Sequence, residues 1–399
     1  MKTAYGCKLF GAHQALAGIK DAVILFHSVV GCNYGTMLFH LSPCNQTDVR
    51  QTSTIINDSD IVFGGEASLL RALNNVRELY APAAVFVVTG CVSDMIQDDV
   101  RSVSRDFERE TGLRTIVVEA AGYRGGVSDG FEGALSCLFD EIRPPVGAKE
   151  AGAPVVNLIG PGADDRRVSD DAAAIEALLG GKARVGCCFA DCTLEEVRAS
   201  ASADLNIVFG RGERFARRMR ERFGVPFETL DFPYGYTGAL ALWDALSARF
   251  GLDFEEEKER YKAFIRTRLQ SVYTFMETLY GIPVAVVGEG SRARGLARFL
   301  AQEIGMEAEV VAAREEIADM DDCFRRLRES EAAILFGSSF EQEIADEMGV
   351  PLVRFDYPVF DRFCLTNRPY AGPLGEICLI EDMFNEICHG KTVKGALYR

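Results

Sequence analysis

Short runs of consecutive apolar residues alternate along the chain with longer stretches in which apolar positions recur every three or four residues. Val23-Ile24-Leu25-Phe26 leads into His27-Ser28-Val29-Val30-Gly31, and Val85-Phe86-Val87-Val88 leads into Thr89-Gly90. Val155-Val156-Asn157-Leu158-Ile159 leads into Gly160-Pro161-Gly162, and Pro283-Val284-Ala285-Val286-Val287 into Gly288-Glu289-Gly290. A β-rich run of this length that stops at glycine predicts a strand covered on both faces and ending in a tight loop. Stretches such as Glu213 to Phe223 carry the helical period between such runs. The alternation predicts an α/β fold on mostly parallel sheets flanked by helices.

Three such units follow one another, and the expectation is three Rossmann-like domains over residues 1–150, 151–265 and 266–399. The first closes at Arg143-Pro144-Pro145-Val146-Gly147, ahead of Gly- and Ala-rich sequence that reads as a linker. Glu255 to Tyr280 predicts a long helical stretch crossing between the second and third units. An internal repeat supports the division. Gly224-Val225-Pro226 with Asp231-Phe232-Pro233 returns at one constant offset as Gly349-Val350-Pro351 with Asp356-Tyr357-Pro358.

Charge and cysteine content narrow the function. The 59 acidic residues against 43 basic ones give a formal charge of −16, which repels a phosphate backbone and fits a partner with a positive docking face. Nucleic acid is thereby excluded as a partner. No run is long enough to span a membrane, and the start through Cys7 has no apolar secretion core, so the expectation is a cytoplasmic protein. Twelve cysteines in a reducing compartment argue for metal or redox use.

Cys32 and Cys91 stand where the first two apolar runs end, each directly after a glycine, Gly31 and Gly90. Ligands of open α/β sheets gather beyond the carboxyl ends of strands, so these thiols, joined by Cys7, make a three-thiolate half-site for iron and sulfur. The competing reading is three buried cysteines packed as small hydrophobes. Cys187 and Cys188 are adjacent in an apparent strand and face opposite ways, with Cys192 in the turn beyond; these read as structural. Cys137, Cys323, Cys378 and Cys388 read as helix-face core residues, and Cys44 lies in a loop open to either role. His27 and His40 read as hydrogen-bonded structural histidines.

Other loops offer rival chemistry. Gly288-x-Gly290-x-x-Ala293 with Glu315 downstream has the context of a dinucleotide fingerprint, although Arg292 and Arg294 crowd the turn. Gly390-Lys391-Thr392 ends like a phosphate loop but has Asn385 where the leading glycine belongs. Arg166 and Arg167, Arg211 and Arg214, and Arg292 and Arg294 each open a helix, where an anionic cofactor is favoured; ordinary surface pairing is the alternative.

The segment Gly6-Cys7-Lys8-Leu9-Phe10-Gly11-Ala12, continuing to His27-Ser28-Val29-Val30-Gly31-Cys32, resembles the opening of nitrogenase component 1 subunits. Asp60-Ile61-Val62-Phe63-Gly64-Gly65-Glu66 and Thr89-Gly90-Cys91 through Asp98-Asp99 are similar to the same family in order. So is Pro351-Leu352-Val353-Arg354-Phe355 to Pro358-Val359-Phe360-Asp361-Arg362, particularly in β-type chains. The likeness covers nearly the whole chain.

This resemblance implies a β-type subunit of a nitrogenase-like reductase, paired with a homologous α-type subunit in an α2β2 assembly. Cys7, Cys32 and Cys91 then correspond to the ligands of half an interfacial iron–sulfur centre, an eight-iron P-cluster or a four-iron cluster shared with the partner. Phe63 corresponds to the residue between that centre and a docking ATP-dependent reductase, the Fe protein. A ligating serine of the β chain falls near Gly126 here, with Ser128 close by. Gly210 and Ala371 stand where the α chain anchors its iron–molybdenum cofactor with cysteine and histidine. The implied role is electron relay to a cofactor in the partner, for reduction of C–S bonds or other small molecules. Alternatives are a scaffold for cofactor maturation and a tetrapyrrole reductase subunit.

Overall fold

The computed structural model describes residues 6–40, 50–145, 152–163, 165, 167–317 and 319–389. Among the described residues twelve strands form three separate four-stranded sheets, parallel throughout. The first has the order β2-β1-β3-β4, from β1 (Ala22–His27), β2 (Gln51–Ser53), β3 (Ala84–Thr89) and β4 (Arg114–Glu119). The second, β6-β5-β7-β8, is built from β5 (Val155–Ile159), β6 (Arg184–Cys188), β7 (Leu205–Phe209) and β8 (Phe227–Leu230). The third, β10-β9-β11-β12, uses β9 (Pro283–Gly288), β10 (Glu307–Ala313), β11 (Ile334–Gly337) and β12 (Leu352–Arg354). Every residue of β1, β3 and β7 is buried, which is why these runs show no polar alternation.

In each sheet the chain starts on an inner strand, steps to one edge, then returns to the other side. Strand order therefore reverses between β1 and β3, between β5 and β7, and between β9 and β11, leaving a crevice at the carboxyl ends of each pair. The first unit supplies α1 (Lys8–Leu16), α2 (Val30–His40), α3 (Asp58–Phe63), α4 (Glu66–Tyr80), α5 (Cys91–Met95), α6 (Val100–Thr111) and α7 (Val127–Phe139). Around the second sheet lie α8 (Val168–Leu178), α9 (Leu194–Ala199), α10 (Glu213–Phe223) and α11 (Gly235–Phe250).

The crossing stretch is not one helix. It is α12 (Glu255–Leu269), a 3₁₀ turn over Gln270–Val272 and the short α13 (Tyr273–Glu277), broken where Ser271-Val272-Tyr273-Thr274 strings weak helix formers together. The third sheet carries α14 (Gly290–Phe299), α15 (Met320–Glu329), α16 (Gln342–Met348) and α17 (Gly372–His389). The repeated blocks fall at equivalent places. Gly224 ends α10 and Gly349 ends α16, both with positive φ (75° and 66°), and each passes the chain into the last strand of its sheet.

Two cores tie the sheets together. One joins Phe26, Phe86 and Phe131 of the first unit to Ile159, Val208 and Phe215 of the second. The other joins Val156, Ile207 and Trp243 to Val284 and Phe336 of the third. Cys187 and Cys188 lie in different cores, on opposite faces of β6. Among the described residues no helix is long and apolar enough to cross a membrane.

Candidate functional site

Three helices begin at the cysteines. Cys7 is the N-cap of α1, Cys32 lies in the first turn of α2, and Cys91 is the first residue of α5. Unpaired N–H groups at such ends favour a thiolate. Cys32 follows β1 and Cys91 follows β3, so both stand at the crevice of the first sheet. All three cysteines are half-buried free thiols.

Gly122, in the 3₁₀ turn after β4, brings two of them together. Its N–H donates to Cys91 Sγ at 3.1 Å. A Cβ at this position would stand 2.9 Å from Cys7 Cβ, 3.0 Å from Cys7 Sγ and 3.4 Å from Cys91 Sγ, so both sulfurs press close on a position that only glycine leaves clear. Cys32 belongs to the same group: burial pushes its thiol up, and the neighbouring Cys7 and Cys91 push it the same way. Ser28 Oγ opposes this by donating to Cys32 Sγ at 3.2 Å. Gly90 is required there, because a Cβ on it would overlap Ser28 Oγ. Gly31 is exposed, with open space around it.

Among the described residues no three ligating side chains close around a single ion. An iron–sulfur cluster asks for something else, since each thiolate takes its own iron and the sulfurs stand farther apart. An all-sulfur donor set, helix N-termini behind each thiol and the close approach of two sulfurs that the bare Gly122 permits fit such a cluster.

Phe63 ends α3 and is 84% exposed, with Val62 beside it at 71%. No residue of α3 is buried. The helix is held instead at its ends, by an Asn57–Asp60 capping box and by Asp60, whose carboxylate accepts from Ser68 Oγ at 2.7 Å. Asp98 completes the support: it accepts from Gly65 N at 2.9 Å and pairs with His27 at 2.8 Å, tying the chain beyond α3 to the end of β1. Reasoning from sequence missed Asp98. The signal was the Asp98-Asp99 pair before α6, where Asp99 alone caps the helix and leaves the other carboxylate for a different task.

The Gly288–Gly290 turn is closed by the chain's own carboxylates: Gly290 N donates to Glu315 at 2.9 Å, while Ser291 N and Arg292 N donate to Glu289 at 3.0 and 3.1 Å. The place a pyrophosphate would take is filled, which removes the dinucleotide reading. Arg167 and Arg292 are sunk in the interior on the rings of Tyr370 and Phe232, both at 4.1 Å, and pair with Asp382 and with Asp165 and Asp171. Arg214 is exposed, and Arg294 pairs with Asp231 at 3.1 Å. Ala371 is buried with its N–H on Asp171 Oδ1. Gly126 and Ser128 are exposed at the start of α7. Cys323 and Cys378 are buried as expected, whereas Cys137 is half-buried and Cys388, in the last turn of α17, is exposed. Cys44, Arg166 and Gly390 to Thr392 lie outside the described residues, as does the side chain of His40.

A family model described as nitrogenase component 1 type oxidoreductase matches residues 7–388. The nitrogenase molybdenum-iron protein alpha chain of Methanothermobacter marburgensis is 28% identical over 96% of this chain and 88% of its own length. The corresponding beta chain of Methanococcus maripaludis is 22% identical over 96% of this chain and 93% of its own. A nitrogenase iron-molybdenum cofactor biosynthesis protein from the same organism is 28% identical over 72% of this chain and 60% of its own. In three dimensions, the solved structure of nitrogenase Cp1 matches with a TM-score of 0.80 at 20% identity, covering 97% of this chain and 93% of that one, which shows the fold.

Proposed function

The chain belongs to the nitrogenase component 1 type oxidoreductase family, and from that membership we propose that it is the electron-relay, β-type subunit of a nitrogenase-like reductase. It pairs with a homologous α-type chain, receives electrons from an ATP-dependent Fe protein and serves a cofactor in the partner, for C–S bond or other small-molecule reduction. The observation that carries this reading is the meeting of the Cys7 and Cys91 sulfurs at Gly122 with Cys32 alongside.

Cys7, Cys32 and Cys91 would hold the iron of a cluster completed by partner thiolates, and such a group supplies one-electron transfer when bound. The chain's own residues prepare the place. Ser28 and the Gly122 N–H donate to sulfur, which stabilises thiolate charge without adding a titrating group. Half-burial keeps most water away from the sulfurs while leaving a face for the partner. Phe63 and Val62 give the reductase an apolar contact on a helix fixed at its ends, so docking meets a surface that is already ordered. The net negative charge steers a reductase with a basic face toward that surface.

A second reading, a scaffold on which a cofactor matures, is favoured by the likeness to the cofactor biosynthesis protein. One experiment separates the two. The chain is purified anaerobically with its co-expressed partner, and iron, sulfide and EPR spectra are measured. A bridging eight-iron signal that disappears in Cys91→Ala supports the relay. A four-iron centre shared between chains supports the scaffold, and an iron-free complex removes both.

A further inference from the structure

A single turn of chain touches two of the three cysteine segments. The 3₁₀ turn Gly122–Arg124 follows β4, and its first N–H donates to Cys91 Sγ at 3.1 Å. Directly after the turn, Gly125 O accepts from Lys8 N at 3.1 Å, one residue beyond Cys7. Gly122 also sits against Cys7 itself, since a Cβ there would stand 3.0 Å from that sulfur. A slip of this turn would carry the Cys7 segment away from Cys91 and take the N–H off the Cys91 sulfur.

The turn's own bonds do not prevent such a slip. Arg124 N bonds back to Ala121 O at 3.0 Å, which shapes the turn without attaching it to its surroundings, and neither Gly122 nor Gly125 has a side chain to pack. Asp94 supplies the attachment. It stands on α5 three residues after Cys91, close to one helical turn away. Its Oδ2 accepts from the Tyr123 hydroxyl and from Arg124 Nε, the latter at 2.8 Å, so one carboxylate oxygen grips the two residues that follow Gly122. The Arg124 guanidinium in turn lies 5.7 Å from the centre of the Tyr123 ring. Tyr123 and Arg124 are exposed and Asp94 is half-buried, so the group adds little by packing, and ion pairs at a surface add little stability. What the clamp fixes is position.

An amide hydrogen bond to sulfur is one of the levers by which a protein sets the potential of an iron–sulfur cluster. We propose that Asp94 is a positioning residue for the sulfur donors, clamping the Gly122–Arg124 turn onto α5 so that the Gly122 amide stays on Cys91 and the Cys7 sulfur stays against the same glycine. The purpose of the clamp rests on the electron-relay reading; the clamp itself is a property of the chain without metal.

The full chain is prepared reduced and metal-free and titrated with phenylarsine oxide, a trivalent arsenical that bridges two thiols when they lie close together. Mass spectrometry of proteolytic fragments locates the bridge, which in the unaltered chain joins Cys7 and Cys91. Asp94→Asn, which keeps an acceptor oxygen for both donors, holds the affinity within about twofold, whereas Asp94→Ala lowers it by about tenfold or more with far-ultraviolet circular dichroism unchanged. In the iron-loaded complex with the partner, an EPR-monitored redox titration gives a lower potential for Asp94→Ala than for Asp94→Asn, by about tenfold in the one-electron equilibrium, ~59 mV. Both variants lack the charge, so the difference reports the amide on sulfur. No Cys7–Cys91 bridge in the unaltered chain, equal arsenical affinity in the two variants, or one shared potential overturns the proposal. A complex without iron would end the relay reading, and the arsenical titration would still decide the clamp.

Discussion

His27 Nε2 lies 2.8 Å from Asp98 Oδ2, with the two side chains 0% and 1% exposed. Burial lowers the imidazole below its usual pKa, against the pull of Asp98, so His27 is neutral near pH 7 and its Nε2–H donates to the carboxylate. On the other side of the ring Nδ1 faces Thr54 Oγ1 at 3.1 Å. The second oxygen of Asp98 takes the Gly65 N–H at 2.9 Å. A single carboxylate therefore joins the strand that leads to Cys32 with the base of the helix that presents Phe63.

Asp98→Ala strands two buried donors and is expected to cost about 3 kcal/mol, whereas Asp98→Asn keeps one acceptor and costs about 1 kcal/mol. Denaturant unfolding under anaerobic conditions measures both. Equal losses would show that the carboxylate fills space and does nothing more.

Gly122→Ala tests the convergence of thiols without removing any of them. The added methyl falls 3.0 Å from Cys7 Sγ, so the sulfur must shift. Iron bound per chain is expected to fall by half or more while far-ultraviolet circular dichroism stays unchanged. Full iron occupancy would place the cluster, or the need for that sulfur, elsewhere.

Phe63→Ala should leave stability within about 0.5 kcal/mol, since the ring is 84% exposed. Electron delivery from the reductase, followed by stopped-flow absorbance, should slow by about tenfold or more, as for an aromatic at the centre of a contact. An unchanged rate removes Phe63 from the docking surface.

A pH effect on stability follows from Glu376 on α17. Burial first, and the charge of Glu303 second, push this carboxyl up to about 8 from an unfolded value of 4.5. A folded pKa raised in this way stabilises the fold fully below about pH 4.5, and that contribution is lost as pH rises to about 8. The loss is on the order of 5 kcal/mol at most. Glu376→Gln, neutral throughout, should flatten the decline, giving a higher Tm than the unaltered chain at pH 9. Parallel Tm curves for the two proteins would show that Glu376 ionises freely in the fold.

Local sequence carried the strands well, because a covered parallel strand must be apolar along its whole length, as β1, β3 and β9 are. The same logic put Cys32 and Cys91 at strand ends, and the fold brings Cys7 to them. Side chains that act across long separations were not legible. Glu289 and Glu315 close the glycine turn of the third unit, so a motif with the right spacing has no vacancy for phosphate. Gly122 carries no sequence mark of its role, since what makes it necessary is the approach of sulfur from residues 7 and 91. The break at Ser271 to Thr274 was visible in composition but overshadowed by the apolar spacing on either side of it.

Helix α1 and the turn after it are tied by hydrogen bonds to chain far along the sequence. Lys8 N bonds to Gly125 O, Ala163 N to Gln14 O, Lys20 N to Cys192 O, and Arg211 grips the Gln14 side chain. Cys7 is thus held where it is by the packing of α1 on α7 and by the loop that precedes α7. The position of Cys7 is therefore a property of the folded units around it and not of its own stretch of chain.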